Sequence, residues 1–398
     1  MSKRTIVAMP GDGIGKTVLN EAIRVLEAAG FEADYVHADI GWEFWCKEGN
    51  PLPQRTIDLI EKHKIGLFGA ITSKPKDEAF EELAPELKDK GLVYSSPIVG
   101  LRQHFGLDIC LRPCRTYKGN PLNFIRRGPG DSIEEPEIDV AIFRQNTEGL
   151  YAGVEWSNPP DNVHAALMSH PKFAKAFGKT PKEEISISTR IFTKKATERI
   201  LRAAFNHAKK YSYKSVTVCE KPNVIRETSG MMYKMAQQIK KADFPEIELW
   251  NTNIDAQMMW LTKNPEDYSV IVAGNMFGDI VSDGFAGLIG GLGFACSAQY
   301  NPDTGVGVFE PTHGSAPKYA DYEVSIVNPI AMIESACMML EYIDEQDIAK
   351  KIRKAVADVV AEGKVRTYDM AKMSGRADVI EKGAASTKQM ADTIIAKL

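Results

Sequence analysis

No stretch of this sequence carries the roughly 18 consecutive apolar residues that a membrane-spanning helix needs, and none near the start has the apolar centre of a secretory signal. The strand-like run Thr5–Met9 follows Met-Ser-Lys-Arg at once. A cytoplasmic location without a membrane partner is the expectation. Excess positive charge is missing too: 49 lysines and arginines stand against 53 aspartates and glutamates, well mixed, for a net charge of −4. This excludes the global basic field of a sequence-indifferent nucleic-acid binder, so any cationic site is local. Cysteine is sparse. The six, at 46, 110, 114, 219, 296 and 337, are scattered; Cys110 and Cys114 are too isolated for a structural zinc site, and Cys219 and Cys337 sit in apolar runs. They read as reduced packing thiols. Internal repeats and low-complexity tracts are absent. What is present is a 398-residue chain, 44% apolar, ample for one large α/β unit or two domains.

A complete nucleotide fingerprint is also lacking, although Pro10-Gly-Asp-Gly-Ile-Gly-Lys-Thr17 comes close to two. A Walker A loop would need glycine at Pro10, and a dinucleotide G-x-G-x-x-G would need glycine at Lys16. Each template misses by one residue, so a third kind of turn is required. Around it the pattern is β-loop-α: Val18, Leu19, Ala22, Ile23, Val25, Leu26 and Ala29 recur at helical spacing until Gly30. Further strands are predicted at Ala33–His37, Ile65–Phe68, Val140–Phe143, Val216–Cys219 and Val270–Ala273, most followed by helical patterns. The class is α/β with a substantial parallel component. Pro/Gly-rich stretches at 117–136 and 156–181 interrupt it, the second long enough for an insertion or subdomain. The last 70 or so residues are mostly helical, with 329–343 and 347–361 the clearest members.

Chemistry-bearing residues concentrate in three segments. Arg102, Arg112 and Arg144 each end an apolar or strand-like run; converging, they would suit a ligand with several carboxylates, and separately they are surface ion pairs. Tyr151 follows Arg144 by seven residues. In "GNMFGDIVSDGFAGLIGGLG", Asp279 and Asp283 stand at i, i+4 on one helix face, where they repel unless a hard cation such as Mg²⁺ or Mn²⁺ sits between them, or else one caps the helix and the other is solvated. Asp255 could join them, and Lys221 lies just past a strand end, where active lysines of α/β sheets stand. The loop "FEPTHGSAPKYA" groups His313, Lys318 and Tyr319 with backbone N–H groups able to face a phosphate, or is an ordinary turn-rich loop.

Taken together and in order, "PGDGIG", "GLRQHFGLDICLRP", "FRQNTEGLYAGVEW", "GNMFGDIVSDGFAGLIGGLG" and "EPTHGSAPKYA" resemble the isocitrate/isopropylmalate dehydrogenase family of β-decarboxylating dehydrogenases, over residues 5 to 395 or so. The resemblance implies a non-Rossmann two-domain fold: a large nucleotide domain from 1–107 and 290–398, and a small domain, 108–289, with the substrate, metal and dimer interface. An arm at 149–193 would interlock two subunits with shared sites. It further implies that Arg102, Arg112 and Arg144, with Ser96, hold a tricarboxylate substrate; that Asp279 and Asp283 bind Mg²⁺ or Mn²⁺ with Asp255 of the partner subunit; and that Tyr151 and the partner's Lys221 are the catalytic pair. Thr72, His313, Gly314, Lys318, Tyr319, Asn328, Tyr368 and Lys372 would hold the nucleotide.

NAD-using relatives carry an acid after "HGSAP", whereas Lys318-Tyr319 stand here, and Tyr368 and Lys372 fall where NADP-using relatives place a tyrosine and an arginine. NADP is therefore expected. For the substrate, "CLRP", "YAGVEW", "KYA" and "TYD" lean to isocitrate, while Ile98, where NADP-type isocitrate dehydrogenases have asparagine, leans to homoisocitrate. Isopropylmalate would want an apolar wall where Ser95 and Ser96 stand. Two readings of other classes remain: a non-catalytic regulatory subunit, which would not need Tyr151, Lys221 and three aspartates, and a P-loop phosphotransferase, opposed by Pro10.

Overall fold

The structure, a computed structural model, describes residues 3–398. Its strands in chain order are β1 (Arg4–Gly11), β2 (Ala33–His37), β3 (Ile65–Ala70), β4 (Ile109–Arg115), β5 (Arg126–Arg127), β6 (Ile133–Glu134), β7 (Asp139–Gln145), β8 (Glu155–Ser157), β9 (Ser186–Ser188), β10 (Ser215–Glu220), β11 (Glu248–Asn253), β12 (Val270–Ala273), β13 (Cys296–Asn301) and β14 (Val306–Pro311). Ten of them form one sheet in the order β11-β10-β12-β7-β4-β13-β14-β3-β1-β2. Two parallel wings meet in an antiparallel centre, where β4 pairs β7 on one side and β13 on the other, and β13 pairs β14. Strands of 108–289 make one wing and its half of the centre; strands from the two chain ends make the other.

The wings are parallel because helices cover both faces, and their strands are apolar throughout for the same reason. All six residues of β3 and of β10, and all four of β12, are buried. Between β1 and β2 the helix Gly15–Ala28 turns Val18, Leu19, Ala22, Val25 and Leu26 into the core. The helix Lys194–Lys210 does the same for the other wing with Ile200, Leu201, Ala204, Phe205 and Ala208. Each valine, leucine, isoleucine or phenylalanine among them contributes about 1.5–3 kcal/mol on burial, and each alanine less.

Strands β13 and β14 escape the hydrophobic pattern because β13 buries Ser297 and Gln299 as fully as its apolar neighbours. The edge strand β11 is polar and escapes it likewise. The 117–136 stretch holds the β5–β6 hairpin, braced by Arg126 bonding Glu134 at 3.1 Å. The 156–181 stretch holds two short helices, Asp161–Met168 and Pro171–Phe177, bounded by the β8–β9 ribbon, and a bridge between Gly149 and Ile191 closes the base of this excursion.

His207, on the 194–210 helix, is wedged among rings: 5.2 Å from Phe143, 4.5 Å from Tyr211 and stacked at 5.8 Å on Tyr213. Burial pulls its imidazole from the ordinary 6.5 down to about 4, with Lys210 and Arg115 adding to the shift and Asp139 opposing it. The folded state thus binds its proton less readily than the unfolded chain. Stability from this residue is complete above pH 6.5 and falls as the pH drops toward 4, by up to about 3 kcal/mol. In His207→Leu, denaturant unfolding followed from pH 7 to 4 is expected to lose stability less steeply than wild type; parallel curves would dismiss the imidazole as the cause.

Candidate active site

Three arginines meet where the two wings join. Arg112 projects from β4 and Arg144 from β7, in an antiparallel register that sets Arg112 opposite Ile142 and Arg144 opposite Cys110. Arg102 comes from the helix Pro97–His104, whose N-terminal cap is the half-buried Ser96. All three arginines are buried. Their partners come from the helix Asn275–Leu288, which packs against β7, and from the β13–β14 hairpin. Arg112 Nη1 reaches Asp279 at 3.0 Å, Asp283 at 3.2 Å and Ser282 Oγ at 2.8 Å. Arg144 donates to Asn275 Oδ1 at 2.8 and 3.0 Å and also to Asp279. Arg102 bonds Gln299 and reaches Glu310 at 3.3 Å.

The i, i+4 aspartates therefore do share a cation in this state, and it is a guanidinium. Desolvation in the cleft raises the Asp283 carboxyl above its ordinary value, Arg112 and Arg144 opposing this and Asp279 reinforcing it. Burial draws Arg144 down to about 10, helped by Arg112 and opposed by Asp279, which leaves it charged at neutral pH. Tyr151 stands on a 3₁₀ turn just past the 149–191 bridge, 41% exposed, its hydroxyl donating to Asp279 Oδ2 at 3.2 Å and its ring 5.5 Å from the Arg144 guanidinium. Burial and the neighbouring Asp279 raise this phenol, so it holds its proton at neutral pH.

Lys221 and Asp255 form a second, separate group. Lys221 follows β10, Asp255 lies in the first turn of the helix Ile254–Trp260, and the two are ion-paired, which holds the Asp255 carboxyl below its ordinary value. Among the described residues no three acidic, histidine or cysteine side chains gather around one metal position, so Asp255 does not join Asp279 and Asp283 within one chain.

The glycine turn proves to be a joint. Gly11 and Gly13 have φ of +66° and +52°, and a Cβ on them would fall 1.9 Å from Ala70 O and 2.2 Å from Ser315 O. Only glycine lets this backbone touch both the end of β3 and the 312–316 loop. Ile14 N donates to Ser315 O at 3.0 Å, and buried Asp12 accepts from Trp42 N at 2.8 Å and Thr72 N at 2.9 Å. Thr72 Oγ1 then meets Ser315 Oγ at 2.6 Å. Beyond this joint Lys318 Nζ lies 4.5 Å from the Tyr319 ring centre, and Tyr319 packs on Tyr368 at 5.5 Å. Exposed Lys372 belongs to the turn that follows Tyr368. His313 Nδ1 faces the exposed Gly314's carbonyl at 3.0 Å, and its Nε2 is enclosed with no partner. Asn328 is engaged inside the fold, with Asp369 at 3.1 Å and Ile330 N at 3.0 Å.

Matched against known families, residues 5–394 fit the isocitrate/isopropylmalate dehydrogenase model. The chain belongs to that family. As a member it is built as an oxidoreductase of the dehydrogenase type. The chain is 37% identical over 392 residues to the protein DlpA of Legionella pneumophila, covering 98% of itself but only 58% of DlpA's length. It is 37% identical to the homoisocitrate dehydrogenase of Methanocaldococcus jannaschii, over 88% of each chain. The crystal structure of isocitrate dehydrogenase from Methylococcus capsulatus superposes with a TM-score of 0.80 at 34% identity, over 99% of both chains.

Sequence reading missed Gln299 and Glu310, which sit in the unpredicted hairpin, and Asn275, which read only as a turn residue. Asp12 carries no role that its sequence context alone reveals, beyond its place between two turn glycines. In this candidate site Tyr151→Phe deletes one hydroxyl from a half-exposed ring. Turnover is expected to fall roughly 10²–10⁴-fold with substrate affinity nearly intact. Steady-state kinetics at wild-type rates would reduce the phenol to packing.

Proposed function

We propose that the chain is an NADP-dependent isocitrate dehydrogenase, decarboxylating isocitrate to 2-oxoglutarate in a homodimer with shared sites. The observation that carries this is the convergence of three buried guanidiniums on one cleft. They bind carboxylates bidentately and in fixed orientation, and a tricarboxylate matches them in number. Asp279, Asp283 and Glu310 neutralise them until the substrate's own carboxylates take over.

Asp279 and Asp283 offer only oxygen donors on one helix face, a set that fits a hard divalent cation, and the exposed Asp255 of the partner subunit would complete it. These residues would hold Mg²⁺ or Mn²⁺, which would supply Lewis-acid stabilisation of negative charge on the substrate's hydroxyl oxygen. The partner's Lys221, directly or through a neighbouring aspartate, would take the hydroxyl proton, and a nicotinamide bound in the cleft would supply the hydride acceptor. Tyr151, protonated and at the cleft's edge, gives a proton to the carbon that loses CO₂. Arg144, fixed by Asn275, orients the substrate for both steps.

The dimer is supported by exposed apolar side chains on or beside the elements that carry Lys221, Asp255, Asp279 and Tyr151: Val224, Met259, Trp260, Ile280, Tyr151 and Val154. Such a surface is costly in an isolated subunit. NADP is supported by Lys318, which makes no ion pair among the described residues and lies over the Tyr319 ring. An unengaged lysine beside two phenols suits a 2′-phosphate. The enclosed His313 Nε2 is a polar atom awaiting a partner from the nucleotide side.

Homoisocitrate is the second reading, on one observation: Ile98 is buried in the apolar cluster with Leu101 and Phe105, so the helix offers no amide to the substrate at that position. Reduction of NADP⁺ and NAD⁺, each measured with isocitrate, homoisocitrate and isopropylmalate, with and without Mg²⁺, separates the readings. Isocitrate with NADP⁺ and Mg²⁺ is expected to turn over fastest. A homoisocitrate preference installs the second reading, and no turnover with any substrate supports a regulatory subunit.

Two further outcomes are expected. Lys318→Asp with Tyr319→Ile should lower kcat/KM for NADP⁺ at least tenfold to a hundredfold, because a charge-assisted contact is worth about 1.5–3 kcal/mol, and should move preference toward NAD⁺. An unchanged nucleotide ratio refutes the assignment. Lys221→Met and Asp283→Asn homodimers should each be nearly inactive, yet mixing the two chains should restore activity in one site per hybrid dimer. Hybrids as inactive as their parents would mean that sites are not shared.

A further inference from the structure

Glu220 is the last residue of β10, and its side chain is wholly enclosed. One carboxylate oxygen accepts from Gly274 N at 2.7 Å, and the other accepts from Arg190 Nη2 at 2.8 Å and from Ser229 Oγ at 2.5 Å. The same Arg190 donates through Nη1 to Thr228 Oγ1 at 2.8 Å and Ser229 Oγ at 2.9 Å, and its guanidinium lies 4.5 Å from the Phe192 ring centre and 5.0 Å from that of Phe277. Gly274 has no room for a side chain there, since a Cβ would stand 2.6 Å from the carboxylate. Neither charge is needed by the fold's apolar core, and a buried ion pair of this kind is weak as a stabiliser.

The elements it joins are telling. Lys221 is covalently next to Glu220, and its amide nitrogen faces Ser229 Oγ at 3.4 Å. Gly274 immediately precedes the 275–288 helix that carries Asp279 and Asp283. Arg190 adjoins Ile191, whose bridge to Gly149 fixes the base of the excursion from which Tyr151 projects. On the shared-site reading above, the lysine serves the partner's site and the aspartates serve the chain's own.

We propose that Glu220 is a positioning residue that holds the lysine lent to one active site and the aspartate helix kept in the other in one fixed relation, with Arg190 as its counter-charge. The carboxylate touches no substrate. It acts by setting where Lys221 leaves the strand and where the aspartate helix begins, so each subunit joins the two sites of the dimer through one buried group.

The test uses a hybrid dimer with a single working site, made from one chain carrying Lys221→Met and one carrying Asp283→Asn, separated by different tags. Its working site takes aspartates from the first chain and the lysine from the second. Glu220→Gln, which keeps the shape and removes the charge, is placed on one chain at a time. On the lysine donor it is expected to lower kcat at least tenfold, with a smaller rise in the Mg²⁺ concentration for half activity than the aspartate donor shows, because the paired Asp255 of that chain stands on its own helix. On the aspartate donor it is expected to raise that Mg²⁺ concentration severalfold with a smaller change in kcat. Equal effects from either chain, or changes under twofold in both, overturn the proposal. Where Glu220→Gln alone unfolds the chain, Glu220→Gln with Arg190→Gln removes both charges together and is read by the same split. If the parent hybrid is inactive, it is the shared-site reading that has failed. Glu220→Gln is then measured in the homodimer, where an unaltered kcat and an unaltered Mg²⁺ requirement overturn the positioning role.

Discussion

Three guanidiniums in a low-dielectric cleft cannot stand without anions, and most of the centre of this molecule is arranged to meet that condition. Arg112 and Arg144 sit on adjacent antiparallel strands, and Asp279 reaches both from the helix packed against them. Arg102 is answered by Glu310 from β14, with Gln299 from β13 beside it. Burial pushes the Glu310 carboxyl up, while Arg102 and Arg112 pull it down. The charges are therefore already desolvated before a ligand arrives. On the function proposed above, a polycarboxylate entering the cleft would exchange one set of anionic partners for another; the cost of stripping water from the arginines would be met in folding, and selectivity would rest on how many carboxylates can be matched at once.

Much of this was readable in advance because it is carried by periodicity and by charged residues at strand ends. β2 and β12 were placed to the residue, and β1, β3, β7 and β10 to within two residues at either end. Arg112, Arg144, Tyr151, Asp279 and Asp283 were named from separate segments and stand together. The antiparallel centre was not readable. Its strand β13 buries Ser297 and Gln299, polar residues whose satisfaction depends on partners almost 200 positions away, such as Cys110 and Arg102. Glu220 was invisible for the same reason: a single acid before a lysine reads as solvent-facing until Gly274, Ser229 and Arg190 are seen around it.

The Pro10–Thr17 turn shows why two nucleotide templates each failed by one residue. Its glycines do not cradle a phosphate; they let one backbone lie against another. Gly13 clears Ser315 and Gly11 clears Ala70, and Asp12 fastens the neighbouring Thr72 and Trp42 amides. The His313–Tyr319 loop inherits its position from that joint through Ser315. Exposed Lys318 thus stands on a rigid support, the buried Tyr319 packed on Tyr368.

The sheet order has a consequence for synthesis of the chain. Strand β3 is entirely buried and apolar, paired with β1 on one side and β14 on the other. At ribosomal rates of about 5–20 residues per second, the interval between completing Ala70 and delivering Val306 is on the order of tens of seconds. Throughout it β1 and β3 can associate, but one apolar edge of β3 has no strand to meet, the condition under which nascent chains pair with the wrong partner. The wing built from 108–289 has all its parallel partners within its own span and can close first. The half with both chain ends is the one that must wait, with an edge of β3 unpaired, until β14 has been made.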